Sequence, residues 1–219
     1  MRTSIILGTR PEIIKMASII KELEKRNEDF FVIHTGQHYS YEMDRIFFEE
    51  LELPQPEYNL DVGSGTHGAQ TGKMLAGIEA TLQKERPDMV LVEGDTNTVM
   101  AGALAAAKLG IKVVHVEAGL RSFDRSMPEE INRVITDHIS DLLFPPTQKG
   151  KENLKKEGIA ENKIFVTGNT IVDAVYQNLE ISKKKKNTLK DIGLNKKDYI
   201  LVTIHRQENV DNKDRFKGR

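Results

Sequence analysis

Short apolar stretches recur along the chain and are separated by longer segments of helical periodicity. The stretches are rich in β-branched residues and nearly continuously apolar, as the buried strands of parallel sheets are. We therefore predict strands over the ranges 3–7, 30–34, 89–94, 112–117, 142–144 and 163–168.

The segments between these stretches have the length and the periodicity of helices. We predict helices over 11–26, 41–51, 68–85, 97–109, 129–140, 147–157 and 170–186. Regular alternation of strands and helices is typical of βαβ units. The predicted fold class is therefore α/β, with a doubly wound parallel sheet.

The composition changes after Gly168. The next segment has a helical pattern and runs into lysines 183–186, which we interpret as a solvated helix end. A further strand is predicted over 198–209, and the chain stops ten residues later. We expect residues 1–170 to form one domain, 171–187 a connecting helix, and 188–219 the start of a truncated second domain. The sequence is thus expected to be a piece of something longer.

Charge and composition narrow the class of protein. The 219 residues carry 32 Lys and Arg against 33 Asp and Glu, which argues against nucleic acid as a partner because phosphate backbones select a basic surface. The absence of cysteine excludes disulfides and thiolate metal sites. The N-terminal apolar run is too short for a signal peptide, and no stretch approaches the ~20 apolar residues of a membrane helix. We expect a cytoplasmic protein with no membrane association.

Polar residues after the strands are the candidates for chemistry, because ligands of open α/β sheets bind beyond the carboxyl ends of the strands. The first strand is followed by GTRPEIIK. Pro11 suits the first helical position, which makes Arg10 the predicted N-cap. Backbone N–H groups at this helix start, with Arg10 and Lys15, favour an anion; a plain βα turn with two surface cations is the alternative. The segment is not a GxGxxG fingerprint, so no dinucleotide cofactor is expected.

The second predicted strand is followed by a segment with two histidines. His34 and His38 are four residues apart, but Gly36 between them argues against a metal-binding helix face. We interpret the segment as a loop that binds a ligand, or simply as a loop, and we expect no metal.

Three acids follow strand ends or begin the next helix. Asp95 and Glu117 come at the ends of consecutive strands, and Glu129 follows Pro128 at a predicted helix start. Singly, Asp95 has an ordinary interpretation as an N-cap and Glu129 as a partner of the helix dipole. Together they would face one crevice beside the predicted anion site, where they would repel an anionic ligand. We therefore interpret them as groups that move protons.

Six ordered motifs carry a closer resemblance: GTRPEIIK, GQHY, GDTNT, HVEAGLRS with PEEINR, GNTIVDA and HRQEN. Together they resemble the non-hydrolysing UDP-N-acetylglucosamine 2-epimerases over essentially the whole chain. The resemblance implies a fold similar to that of glycosyltransferase-B enzymes, with two Rossmann-like domains and the active site between them. This chain would hold the first domain and the first strand of the second. The family also implies a homodimer and a role in cell-surface polysaccharide biosynthesis.

The reaction implied by the resemblance interconverts UDP-N-acetylglucosamine and UDP-N-acetylmannosamine. Loss of UDP from carbon 1 makes the proton on carbon 2 removable, which gives 2-acetamidoglucal and bound UDP. Re-addition from the other face inverts carbon 2, and this needs acid–base groups near both faces. No hydride moves, so no cofactor is implied.

Residue roles follow from the positions that match the family's motifs. The implied catalytic acids are Asp95, Glu117 and Glu129, and His205 of the HR motif would stabilise or protonate the departing phosphate. The implied substrate-binding positions are Arg10, Lys15, Gln37, His38, Arg121, Arg133 and Arg206.

For four of the substrate-binding positions, the resemblance also indicates which part of a ligand they contact. Arg10 and Lys15 match positions near the diphosphate, and Gln37 with His38 matches a segment that contacts a second, activating UDP-sugar in some members. The sequence departs from the family in the loop 121–128, which is shorter than in many bacterial members. It departs again at Gln207, where an arginine is common.

Three other functions are compatible with the same residues. A hydrolysing relative would release free N-acetylmannosamine and UDP. A glycosyltransferase of similar fold would need fewer acids at the strand ends. A folded UDP-sugar-domain module without activity is the third, and we expect the 219-residue chain by itself to be inactive.

Overall fold

Six strands form a single parallel sheet. The structure is a computed structural model that describes residues 1–36, 41–184, 188–195 and 198–203. In chain order the strands are β1 (Thr3–Leu7), β2 (Phe30–His34), β3 (Tyr58–Asn59), β4 (Met89–Glu93), β5 (Lys112–Val116) and β6 (Leu142–Phe144). They lie in the order β3-β2-β1-β4-β5-β6, and every pairing is parallel.

Helices follow the strands and confirm the predicted alternation, with boundaries within two residues wherever the predicted ends are described. They are α1 (Arg10–Lys25), α2 (Tyr41–Glu50), α3 (His67–Glu85), α4 (Asn97–Lys108), α5 (Pro128–Ile139), α6 (Gln148–Lys156), α7 (Thr170–Lys184) and α8 (Thr188–Asp191). The last of these, a single turn, was not predicted.

Apolar side chains cover both faces of the sheet, as the doubly wound class requires. Ile6 and Val92 pack with α3 and α4 on one face, whereas Leu7 and Leu91 pack with α1 on the other. Because side chains alternate along a strand, a strand buried on both faces must be apolar at nearly every position. This explains the continuous apolar runs in the sequence and confirms the α/β, Rossmann-like fold class.

The sheet changes its direction of winding between β1 and β4. The chain moves outward from β1 through β2 to β3, returns to β4 beside β1, and then continues to β5 and β6. The loops after β1 and β4 therefore diverge, which opens a crevice at the carboxyl ends of these strands. The predicted acids and cations at strand ends belong to this edge.

Two predicted strands are not formed in the residues that the structure describes. The range 163–168 contributes only an isolated bridge between Ile164 and Leu143, because Glu161–Lys163 form a 3₁₀ turn and the neighbouring β6 is followed by Pro145. Proline cannot extend a ladder as a donor. The range 198–209 shows no strand in its described part, 198–203, and the remainder lies outside the described residues. The two-residue β3 was missed because it is too short to form a pattern.

Two compact units divide the chain, Met1–Leu179 and Glu180–Arg219. The first contains the whole sheet and α1 to α6. In the second, the described part includes the single turn α8. That residues 188–219 begin a second Rossmann-like domain stays a prediction. Within the described residues, no helix combines the length and the apolar character that crossing a membrane requires.

The turn after β1 is closed by a tight packing contact. The Thr35 and Thr98 hydroxyls lie 2.9 Å apart, and a Cβ at Gly8 would overlap both of them. We expect Gly8→Ala to lower the free energy of unfolding by about 1–3 kcal/mol, the usual cost of overpacking a buried site.

The matched control is Gly72→Ala in α3. Gly72 is exposed and a Cβ there would meet nothing within 4 Å, so alanine should raise the free energy of unfolding by about 0.5–1 kcal/mol. Urea denaturation measures both changes. Equal effects of the two substitutions would show that the contact at Gly8 is not tight.

Candidate active site

The start of α1 differs from the predicted anion site. Thr9 is the N-cap and Arg10 the first helical residue, so the prediction of Arg10 as N-cap is wrong. The Glu12 carboxylate accepts hydrogen bonds from the Gly8 N–H at 2.5 Å and the Thr9 N–H at 3.2 Å. The chain thus supplies its own anion to these donors, as a capping glutamate does.

Glu12 is a buried acid. Burial raises its pKa to about 7, although hydrogen bonds from Thr96, Gly8 and Thr9 act in the opposite direction. The bond from the Thr96 hydroxyl, at 2.5 Å, ties the helix to the loop after β4. Arg10, one of the two cations predicted at this site, contacts Asp44 at 3.4 Å.

Lys15 lies between two acids at the ends of neighbouring strands. Its Nζ is 2.8 Å from each oxygen of Glu117 and 3.0 Å from Oε1 of Glu93. The Glu93 side chain is 1% exposed and the Glu117 side chain 13%. The structure therefore brings the predicted residues Lys15 and Glu117 together and adds Glu93 to them. We call this group the Lys15 triad.

The electrostatics of the Lys15 triad follow from burial. Burial is the largest cause that raises the pKa of Glu93 to about 9; Lys15 opposes the shift, and the carboxylates of Glu117 and Glu12 add to it. Burial lowers the pKa of Lys15, but the charges of Glu93 and Glu117 outweigh it and leave that pKa raised. At neutral pH the triad therefore holds a protonated Glu93 beside a Lys15–Glu117 ion pair.

Sequence reasoning missed Glu93, although a signal was present. It is the last residue of β4, an ionisable group within an otherwise apolar strand. Such a position is seldom charged without a partner. The partner comes from α1, and only the three-dimensional structure shows it.

Glu117 has an unusual backbone. Its φ of 66° lies in the left-handed region, which costs a residue other than glycine on the order of 1–3 kcal/mol. The conformation is held by a hydrogen bond from the Glu117 N–H to the Phe144 carbonyl, at 3.1 Å, and by the contacts with Lys15. Strain of this kind is concentrated at functional sites.

Asp95 is paired with Arg133 of α5. Nη2 of Arg133 lies 2.5 Å from Oδ2 of Asp95, and its Nη1 lies 3.0 Å from Oε2 of Glu130. The amide of Asn132 also donates to the Asp95 carbonyl oxygen, at 2.9 Å. Thr96, not Asp95, is the N-cap of α4, so the Asp95 carboxylate is left for another role.

The two acids at the start of α5 have different surroundings. Glu129 is exposed, whereas Glu130 is buried and accepts hydrogen bonds from the N–H groups of Ser122 and Phe123, each at 3.0 Å. Burial raises the pKa of Glu130, but the bonds from Ser122 and Arg133 outweigh it and leave that pKa lowered. Glu130 therefore holds the loop before α5, a role that the sequence did not reveal.

Arg121 is a buried cation. Its side chain is 1% exposed and lies 2.7 Å from Asp137 and 2.6 Å from Glu157. Asp137 also accepts a hydrogen bond from the Gly119 N–H at 3.1 Å and lies 2.6 Å from Nδ1 of His115. In this structure Arg121 supports the loop after β5, and substrate binding by it stays a prediction.

The structure thus brings four of the predicted site residues into two pairs, Lys15 with Glu117 and Asp95 with Arg133. It places Glu129 on the helix that carries Arg133. The predicted residues Gln37, His38, His205 and Arg206 lie outside the described residues. Among the residues that are described, no group of three or more His, Asp or Glu side chains is arranged to hold a metal ion.

A sequence model of the family described as UDP-N-acetylglucosamine 2-epimerase matches residues 21–218. The chain belongs to this family. The resemblance carried by the six motifs is thereby confirmed at the level of the family.

Two curated epimerases and one crystal structure illustrate the similarity. The UDP-N-acetylglucosamine 2-epimerase of Methanocaldococcus jannaschii is 66% identical over 100% of this chain and 60% of that protein. A crystal structure of the M. jannaschii UDP-GlcNAc 2-epimerase with UDP-GlcNAc and UDP matches 99% of this chain and 60% of that chain, with a TM-score of 0.92. The UDP-2,3-diacetamido-2,3-dideoxy-D-glucuronate 2-epimerase of Pseudomonas aeruginosa is 46% identical over 96% of this chain and 59% of that protein. The chain spans about three fifths of the length of these relatives.

The buried acid of the Lys15 triad predicts a pH-dependent stability for this epimerase-family chain. The unfolded chain releases the Glu93 proton near the usual pKa of 4.5, whereas the folded chain retains it to about pH 9. The free energy of unfolding therefore falls as pH rises between these values. Glu93→Gln should remove this loss, on the order of 3–5 kcal/mol at pH 8.

Thermal denaturation of the wild type and Glu93→Gln at pH 5 and pH 8 provides the measurement. The variant should have a higher melting temperature than the wild type at pH 8, and the two melting temperatures should differ little at pH 5. A difference that does not grow with pH would contradict a raised pKa at Glu93.

Proposed function

We propose that the natural protein containing this chain is a non-hydrolysing UDP-N-acetylglucosamine 2-epimerase. It interconverts UDP-N-acetylglucosamine and UDP-N-acetylmannosamine by anti-elimination of UDP to 2-acetamidoglucal, followed by re-addition with inversion at carbon 2. The observation that carries the proposal is a pair of carboxylates, Asp95 and Glu117, at neighbouring strand ends, each held by a cation.

The chemistry requires a proton to leave carbon 2 on one face and return on the other. A carboxylate takes the proton while the bond from carbon 1 to the diphosphate oxygen breaks with its electron pair, and a second acid supplies the proton for re-addition. Lys15 and Arg133 hold Glu117 and Asp95 in place, so that little reorganisation is needed during proton transfer. Glu129 is the third proposed acid, and no cofactor takes part.

The remaining substrate contacts are proposed from the resemblance. Arg10 supplies positive charge for the diphosphate, and His205 stabilises the departing phosphate. Arg206 completes the HR motif, and Gln37 with His38 contacts a second UDP-sugar. The natural protein is proposed to act in the cytoplasm as a homodimer, in cell-surface polysaccharide biosynthesis.

One relative favours a second substrate. The P. aeruginosa protein that is 46% identical to this chain is named for UDP-2,3-diacetamido-2,3-dideoxy-D-glucuronate. Parallel assays of the full-length gene product with this nucleotide sugar and with UDP-N-acetylglucosamine distinguish the two. The ratio of their kcat/KM values identifies the preferred substrate.

The proposed elimination predicts that solvent deuterium enters the product at carbon 2. The full-length gene product is incubated with UDP-N-acetylglucosamine in deuterated water, and the product is examined by NMR and mass spectrometry. Deuterated UDP-N-acetylmannosamine is expected. A product without deuterium would overturn the scheme, and free N-acetylmannosamine with UDP would identify the hydrolysing alternative.

Removal of a proposed acid should lower turnover strongly. In the full-length gene product, Asp95→Asn, Glu117→Gln and Glu129→Gln should each reduce kcat at least about a hundredfold, since acid–base groups contribute ~10²–10⁴. Glu161→Gln is the control, because Glu161 is an exposed partner of Lys151 and Lys155. Near-normal turnover in any of the three variants would remove that residue from the mechanism.

A further inference from the structure

The Lys15 triad contains a carboxyl group that the proposed reaction does not use. Glu93 is buried on β4, between β1 and β5, and its nearest charged partner is Lys15. The titratable groups that face it are Lys15 and Glu12 from α1 and Glu117 from the end of β5. Oε1 of Glu93 has no hydrogen bond of good geometry among the described residues, although Lys15 lies 3.0 Å away.

We propose that Glu93 is a positioning residue for Glu117. While Glu93 is protonated, the charge of Lys15 is paired with Glu117. When Glu93 ionises, it draws Lys15 away from Glu117 and thereby sets the alkaline limit of turnover. This inference rests on the proposed function of Glu117 in proton transfer. Glu93 itself touches no substrate.

The net charge of the Lys15 triad depends on the protonation of Glu93. With Glu93 protonated, Lys15 and Glu117 form a neutral pair in which both Glu117 oxygens lie 2.8 Å from the ammonium. When Glu93 loses its proton, two carboxylates share one ammonium and the triad carries one net negative charge. That charge weakens the hold on Glu117 and repels the diphosphate of a nucleotide sugar, and burial leaves it poorly screened.

Glu12, which lies on α1 with Lys15, provides a contrast to Glu93. It is also buried and its pKa is also raised, to about 7, but it bonds to Gly8, Thr9 and Thr96 rather than to Lys15. If any buried acid in this region could set the alkaline limit, Glu12 would do so at a lower pH. Substitution of each acid therefore separates a specific effect through Lys15 from a general one.

The test measures kcat and kcat/KM of the full-length gene product from pH 6 to pH 10, because kcat/KM reports the ionisations of the free enzyme. The wild type should lose activity about tenfold per pH unit beyond the ionisation of Glu93. Glu93→Gln should keep kcat within about threefold of wild type at pH 7. It should also move the alkaline limb of the pH profile, where activity falls as pH rises, to higher pH by at least about one pH unit. Glu93→Asp, which keeps the acid, should restore a limb, and Glu12→Gln should leave the limb in place.

Several results would overturn the inference. An alkaline limb at the same pH in Glu93→Gln would show that another group sets it, and displacement in Glu12→Gln instead would identify that group. A wild type with no limb up to pH 10 would also refute it. So would equal loss of activity by Glu93→Gln at every pH, because that pattern indicates a structural role. Epimerisation by the wild type tests the proposed function separately. An active wild type whose alkaline limb does not depend on Glu93 would overturn this inference alone, whereas a wild type without epimerase activity would overturn the proposed function on which the inference rests.

Discussion

Charge removed from water must be neutralised where it is buried, and this constraint shapes the carboxyl edge of the sheet. Three cations at this edge have the same arrangement, because each one lies between two carboxyl groups. Lys15 contacts Glu93 and Glu117, Arg133 contacts Asp95 and Glu130, and Arg121 contacts Asp137 and Glu157. The side chains involved come from helices, strands and loops that are distant in sequence. The elements around the candidate site are thus held together by the same groups that determine its charge.

The fold was largely predictable because the apolar pattern of each strand can be seen in a short stretch of sequence. A strand buried on both faces must be apolar at almost every position, and this requirement is visible in five of the six strands. The failures arose where tertiary context overrides the local pattern. Residues 163–168 have the composition of a strand, but their neighbour β6 ends before a proline and leaves only a single bridge. The short β3 is defined by its partner β2 rather than by its own sequence.

The candidate site was predictable only in part. Asp95, Glu117 and Lys15 were found because they come at strand ends or in the first turns of the next helix, where position alone indicates a role. Glu93 and Glu12 were missed because their properties come from burial and from partners far away in the chain. The N-cap was misassigned for a similar reason, since Arg10 follows Thr9 and only backbone geometry distinguishes them.

Helix α5 connects the loops after β4 and β5. Asn132 bonds the carbonyl of Asp95, and five residues later Asp137 bonds the N–H of Gly119. These anchor points are about 7.5 Å apart along the helix axis, at the rise of an α-helix. The positions of the two loops are therefore fixed relative to the rigid helix α5 as well as relative to the sheet. A shift of α5 along its own axis would carry both loops by the same distance and leave the spacing between their anchor points unchanged.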